Sequence, residues 1–386
     1  MQNAFSDALS KSLSQHIALG QTRHETLTWL AFLIMRQGTI CLWRLAAHVD
    51  TAAEISSVRR RFYRFFQHVA LDGSLTAPVI VGLLGLRGKP WVLAMDRTNW
   101  EFGKTTINIL MISVIWNGIG IPLIWALLPT AGNSNTQART DLLDRLRKAV
   151  PDMKIASLMG DREFIGGAWM AYLCREKIPF VLRLRENQHV VRDGFATWTI
   201  TEIAKGLGKG EKMILKGWCK LGQHTDDSSP AVRLVVMRLH SGELLALACS
   251  AKPKHALAAY RQRWTIETLF SNLKTKGFNL EDTHITNAQK LSTLLAVLAL
   301  AVTLCVKTGV ASARIRHVPV KKHGRKACSI FAIGIAALRK IAAAAEPDQV
   351  IAFLQHLLSP KLPVNQLKAL PVCRRVEYNG CEVNIG

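Results

Sequence analysis

The chain has 386 residues, 49% of them hydrophobic, which is enough for two or three structural units with buried cores. Fifty Lys and Arg against 27 Asp and Glu give a formal net charge of +23, which attracts a polyanion such as nucleic acid. The eight cysteines form no C-x-x-C pair and have no His partner at zinc-ligand spacing, which argues against a zinc site or a disulfide framework.

Residues 1–87 are predicted to form a helical DNA-binding region. Residues 26–35 are mostly apolar, and residues 56–68 place four arginines beside three phenylalanines, the pattern of a basic amphipathic helix. Arg60 and Arg64 are the candidate DNA contacts, although a solvated arginine face over a Phe core explains the pattern equally well. The polar N-terminus lacks the features of a signal peptide, so we expect the protein in the cytoplasm.

Residues 88–186 are predicted to be the first part of an α+β core. Three β-like runs cover 91–95, 105–116 and 119–128, and Asn117-Gly118 between the last two is a strong hairpin signal. A helix over 136–150, a strand over 155–159, a helix over 167–176 and a strand over 179–184 follow. The predicted order is therefore βββαβαβ.

Residues 187–252 are predicted to be a β-rich insertion, with strands over 213–221, 232–239 and 244–249. Helices resume at His255, and 286–386 are predicted to be a basic helical region, with 14 Lys and Arg against 4 Asp and Glu. Its apolar run 291–306 is shorter than the ~20 residues that a membrane span needs, so we expect a buried helix and no membrane contact. The basic loop 314–326 offers Lys321, Lys322, Arg325 and Lys326 as DNA contacts.

Two carboxylates follow apolar strands in the predicted core. Asp96 is expected to end the first strand and Asp161 the fourth. Either alone is readily explained as a turn or cap residue, but two at matching strand ends indicate a shared site. Because neighbouring carboxylates repel, such a pair implies a cation between them. Three strands, a helix and a fourth strand is also the order of an RNase H-like (retroviral integrase-like) domain.

A third acid lies on a predicted helix within 253–285. At ~100° per residue, Tyr260, Arg263, Glu267 and Lys274 share one narrow face. An adjoining apolar stripe is formed by Ile266, Leu269, Phe270 and Leu273. An ordinary surface helix with an Arg263–Glu267 ion pair would explain only two of the four polar residues.

These residues reproduce the signature Y-x-x-R-x-x-x-E-x-x-x-x-x-x-K, and the sequence here resembles the insertion-sequence-four family of DDE transposases. The resemblance implies an RNase H-like catalytic core in which Asp96, Asp161 and Glu267 hold two divalent ions, normally Mg²⁺ with Mn²⁺ as a substitute. It also implies cut-and-paste cleavage and strand transfer at terminal inverted repeats, with Tyr260, Arg263 and Lys274 contacting DNA.

The resemblance further implies hairpinned DNA ends, a homodimer that pairs two transposon ends, and target DNA as a second partner. Hairpin formation needs an aromatic residue that stacks on a flipped base. Where a tryptophan is expected the chain has Leu244-Leu245, and the insertion's own Trp198 and Trp218 could be simple core residues. Two alternatives stay open: a transposase-derived DNA-binding protein without cleavage activity, and an RNase H-like structure-specific nuclease.

Overall fold

The computed structural model describes residues 17–102, 105–129, 132–192, 196–223, 229–322, 326–344 and 346–370, together with residues 7, 9–11, 13, 14 and 225. Among them, N-terminal helices precede a large mixed sheet, and further helices follow it; residues 7, 9–11, 13 and 14 are also helical. The N-terminal helices are α1 (Gln21–Gln37), α2 (Leu42–Ala46), α3 (Ile55–His68) and α4 (Gly73–Leu83).

The sheet begins with a long meander and continues through two crossover helices. These elements are β1 (Pro90–Phe102), β2 (Thr105–Trp116), β3 (Ile119–Leu128), α5 (Thr136–Ala149), β4 (Lys154–Gly160), α6 (Gly167–Arg175) and β5 (Phe180–Arg183). The next segment adds short strands and a one-turn helix. They are β6 (His189–Val191), β7 (Trp198–Thr199), α7 (Ile200–Ile203), β8 (Lys212–Ile214), β9 (Lys220–Leu221), β10 (Arg233–Arg238) and β11 (Leu244–Cys249).

Helices make up the rest of the described chain. They are α8 (Pro253–Arg261), α9 (Trp264–Leu273), α10 (Ala288–Ile315), α11 (Ile330–Ala344), α12 (Pro347–Leu357) and α13 (Val364–Ala369). Single 3-10 turns cover Arg162–Phe164 and Leu280–Asp282.

The predicted βββαβαβ order is confirmed in the first five strands. They lie in the spatial order β3-β2-β1-β4-β5, with β2 antiparallel to its neighbours and β4 parallel to both β1 and β5. Asn117 and Gly118 both have positive φ, 50° and 75°, as a two-residue type I′ hairpin requires. The hairpin signal in the sequence therefore identified the β2–β3 turn correctly.

The β-rich segment after β5 divides between two sheets. Strand β11 pairs with β5, and β10 and β8 follow it, so the main sheet reaches eight strands. Strands β7, β6 and β9 form a separate three-stranded sheet. The sequence predicted one insertion, whereas three of its strands extend the core sheet, because β5 offers an open edge that β11 satisfies.

Helix α10 is the hydrophobic centre of the C-terminal region. It is long and apolar enough to cross a membrane, but its most apolar 18-residue window is entirely buried by the rest of the protein. The expected buried helix over 291–306 is confirmed. Lys307 lies in the same helix, α10, and its ammonium donates to the carbonyl oxygens of Leu83 at 2.7 Å, Leu357 at 2.7 Å and Ser359 at 2.5 Å. All three ammonium donors are satisfied, which ties α10 to the ends of α4 and α12.

A polar network joins β1 to the turn after β4. The Nε of Arg97 donates to both carboxylate oxygens of Glu163 at 3.2 and 3.1 Å, and its NH1 donates to Asn108 Oδ1 at 3.2 Å. Glu163 Oε1 also accepts from the backbone N–H and the hydroxyl of Ser134, both at 2.9 Å. Arg139 donates to the Ser134 hydroxyl and to the Glu163 carbonyl at 2.9 and 3.0 Å. The Glu163 carboxylate thus connects its own turn after β4 to β1 and to the segment before α5.

Replacing Glu163 by Ala should lower the free energy of unfolding by about 2–3 kcal/mol, because Arg97 and Ser134 lose a largely buried acceptor that nothing replaces. Chemical denaturation of both proteins measures the difference. Glu176→Ala is the matched control, since Glu176 also pairs with arginines, Arg147 and Arg175, but at the surface. Equal losses in the two variants would contradict an anchoring role for Glu163.

Candidate active site

Asp96 and Asp161 lie on neighbouring parallel strands. Ala94 of β1 pairs with Met159 of β4, so the two aspartates, each two residues further along, reach the same level of the sheet. Asp161 directly follows β4, as expected. The expectation that Asp96 ends its strand is wrong: β1 continues to Phe102, because β2 is long enough to pair with it beyond Asp96.

Arg263 joins the acid on β1 to the acid on the helix. Its NH1 lies 3.0 Å from Asp96 Oδ2, and its NH2 lies 2.5 Å from Glu267 Oε1. Arg263 is only 5% exposed, although it occupies the turn between two helices. The guanidinium is therefore a buried bridge between two carboxylates, and in this conformation it faces those acids.

Tyr260 joins Asp161 to the same cluster. Its hydroxyl donates to Asp161 Oδ1 at 3.2 Å, and the Arg263 guanidinium lies 5.5 Å from the centre of its ring. Burial raises the pKa of the Tyr260 hydroxyl, so the group remains protonated and keeps donating. The structure thus brings together five of the six residues named for the catalytic core.

Lys274 is the sixth, and it points elsewhere. The single helix predicted through this segment is two helices, α8 and α9, with Gln262 and Arg263 in a turn between them. Lys274 caps the end of α9, where its ammonium donates to the Asn99 carbonyl at 3.0 Å and pairs with Glu281 at 2.9 Å. A count of 100° per residue assumes an unbroken helix, so it overstated the alignment of Lys274 with the other residues.

Helix α9 is held closely against the sheet by a glycine. A Cβ at Gly120 of β3 would lie 2.8 Å from the Thr265 carbonyl oxygen, a distance that no side chain tolerates without a shift. Ile266, Leu269 and Leu273 of the predicted apolar stripe are buried beneath the helix. This packing brings Glu267 to the level of Asp96, so that Arg263 contacts both.

The electrostatics of the cluster explain the position of Arg263. Burial raises the pKa of Asp96 to about 6, although the backbone N–H of Arg97 and the Arg263 charge lower it. The charges of Asp161 and Glu267 raise it as well, which shows that the three carboxylates interact. Without the guanidinium, ionised Asp96 would be buried beside two like charges.

The donor chemistry of the three acids suits a hard divalent cation, which takes carboxylate oxygens as ligands. Their arrangement does not. In the described part of the chain no three Asp, Glu, His or Cys residues form a group that could hold a metal ion. Arg263 occupies oxygens of Asp96 and Glu267, and Tyr260 occupies one of Asp161. The residues do not fit a metal as they stand.

A second charged cluster, which the sequence did not predict, lies beside Asp161. Glu243, in the turn between β10 and β11, pairs with both Arg162 and Arg183. Arg162 could have been noticed because it follows Asp161 directly. Arg183 and Glu243 carry no local signal, since only the pairing of β11 with β5 brings them together.

The remaining candidate residues lie outside this cluster. Arg60 and Arg64 are exposed on α3, and Lys321, Lys322 and Lys326 are exposed near an antiparallel bridge between Val320 and Lys326. Arg325 lies outside the described residues. Trp198 and Trp218 are not core residues: both are exposed, and the Arg233 guanidinium lies 5.5 Å from the centre of the Trp218 ring.

Comparison with known proteins places this geometry in a family. The family model described as the transposase DDE domain matches residues 87–304, more than half of the chain and a span that includes Asp96, Asp161 and Glu267. No curated protein matches the chain. Enzymes of this family act on DNA and use divalent metal ions, generally Mg²⁺. The chain therefore belongs to the transposase DDE domain family.

Proposed function

We propose that the protein is a transposase of the insertion-sequence-four family that binds the terminal inverted repeats of an insertion sequence and cuts and joins DNA. One observation carries the proposal: Asp96 and Asp161, on adjacent parallel strands, are linked to Glu267 and its helix through Arg263 and Tyr260. Tyr260, Arg263 and Glu267 of the signature therefore form one cluster with the two aspartates.

Asp96, Asp161 and Glu267 are the proposed catalytic acids and the ligands of two Mg²⁺ ions, with Mn²⁺ as a substitute. Tyr260 orients Asp161 by its hydrogen bond, and Arg263 neutralises Asp96 and Glu267. Arg263 and Lys274 are also proposed DNA contacts, which requires each to leave its present partners.

The helical region 1–87 is proposed to bind DNA through α3. Val58, Phe62, Phe65 and Phe66 bury one face of this helix, and Arg60 and Arg64 lie on the exposed side. The major groove of DNA admits an α-helix, and contact of Arg or Lys with guanine is the commonest specific contact there. The rest of the proposed organisation consists of the core segments 88–186 and 253–285, the insertion 187–252 and the basic region 286–386.

Hairpinned DNA ends are part of the proposal. A flipped base needs an aromatic surface that is accessible to it, and stacking of this kind is worth about 1–3 kcal/mol per base. Trp218, 52% exposed and beside Arg233, offers such a surface together with a positive charge. The proposal also includes a homodimer that pairs two transposon ends and captures target DNA. The protein is proposed to act in the cytoplasm.

Each of Asp96→Asn, Asp161→Asn and Glu267→Gln should abolish DNA cleavage while leaving binding to the terminal repeat largely intact. The amides keep the shape of the side chain but lose its charge, and phosphate contacts elsewhere supply most of the affinity. Cleavage of a terminal-repeat duplex with Mg²⁺ and a gel-shift assay measure the two properties.

Asp152→Asn is the control, because Asp152 lies at the opposite end of β4 from Asp161. This variant should cleave DNA at the wild-type rate. Cleavage near the wild-type rate by any of the three variants would remove that residue from the site. Specific binding without cleavage by the wild type would favour the DNA-binding alternative. Cleavage without strand joining would favour the nuclease.

Neutralising the C-terminal lysines with Lys321→Gln and Lys322→Gln should weaken binding to all DNA sequences alike. Each lost phosphate contact should reduce the slope of log K against log salt by about 0.9. Titrations at several salt concentrations measure the slope. Lys148→Gln with Lys154→Gln removes the same charge, from the last turn of α5 and the first residue of β4, and should leave the slope unchanged. Identical slopes in both double variants would make the C-terminal lysines an ordinary solvated surface.

A further inference from the structure

Arg263 supplies the positive charge that the acidic cluster needs in the absence of DNA. Its two terminal nitrogens contact Asp96 and Glu267 at 3.0 and 2.5 Å, and its side chain is almost fully buried. Its Nε is also buried but has no hydrogen-bond partner among the described residues. The buried, unsatisfied Nε donor costs free energy, so the buried position of the guanidinium is less stable than its two ion pairs alone would make it.

The same contacts exclude another cation. The lone pairs with which Asp96 and Glu267 accept hydrogen bonds from Arg263 are not available to a divalent ion, and a second positive charge beside the guanidinium would be repelled. Arg263 and a metal therefore compete for Asp96 and Glu267. Loading of the site requires the guanidinium to move.

The backbone at Arg263 favours such a movement. The N–H groups of Arg263 and Ile266 bond to carbonyls three residues earlier, at 2.9 and 3.0 Å, so the α-helical pattern is interrupted here. Interrupted helices supply hinge positions more readily than continuous ones. Adjacent Trp264 is 63% exposed, which places the turn at the protein surface, where DNA can reach it.

We propose that Arg263 is an exchangeable counter-ion that couples metal binding to DNA binding. A DNA phosphate accepts two hydrogen bonds from the guanidinium, as a carboxylate does, and draws it out of the cluster. Asp96 and Glu267 are then free to take a divalent ion. The inference rests on the proposed function, because it assumes that these acids are metal ligands. DNA and metal then bind cooperatively: each ligand raises the affinity of the protein for the other by the same factor.

The test is calorimetric titration of Mn²⁺ into the full chain, with and without a pre-cleaved duplex of the terminal repeat that flanks the gene. Wild-type protein should bind Mn²⁺ about 10-fold more tightly with DNA than without it. Arg263→Gln should bind Mn²⁺ about 10-fold more tightly than the wild type without DNA, and DNA should add little further. Arg263→Lys, which keeps the charge, should stay near the wild type.

Arg147→Gln is the matched control, because Arg147 also contacts two carboxylates, Asp144 and Glu176, away from the site. It should leave Mn²⁺ affinity unchanged. Equal wild-type affinities with and without DNA would overturn the coupling, and this comparison does not depend on any variant folding. Weaker Mn²⁺ binding by a folded Arg263→Gln would overturn it as well. Failure of the proposed function is distinct: Mn²⁺ would then not bind even with DNA, or Asp96→Asn would not affect its binding.

Discussion

Parallel pairing of β1 with β4 is the constraint on which the site depends. It places Asp96 and Asp161 at one level of the sheet, and the packing of α9 on the sheet adds Glu267. Three interacting carboxylates, of which that of Asp96 is largely buried, require a positive charge. The structure supplies it with Arg263, from a turn that lies next to the acids it neutralises.

The two sides of β1 perform different tasks. Successive residues of a strand point to opposite faces, so Asp96 and Arg97 face away from each other. Asp96 meets Arg263 in the acidic cluster, whereas Arg97 meets Glu163 on the other side. Ion pairing therefore ties β1 to the turn after Asp161 without using either catalytic candidate. The spacing of the two aspartates is thus supported from the opposite face of β1, while their carboxylates contact Arg263 and Tyr260.

Extension of the sheet beyond β5 links the β-rich segment to the site. Because β11 pairs with β5, the turn that precedes β11 carries Glu243 to Arg183 and to Arg162, the neighbour of Asp161. The segment is thus a continuation of the core at this point and a separate small sheet elsewhere. A movement of β10 and β11 would shift Glu243 and so alter its ion pair with Arg162, the neighbour of Asp161.

The sequence by itself determined the strands β2 and β3 with their Asn-Gly turn, the strand before Asp161 and the buried C-terminal helix. Alternation, turn chemistry and apolar length act between residues close in the chain, so these features are local. Only the tertiary structure decided that β1 runs past Asp96, that the signature helix breaks at Arg263, and that Arg263 reaches Asp96. Those outcomes depend on strand pairing and on an ion pair between residues 167 positions apart, for which no local pattern exists.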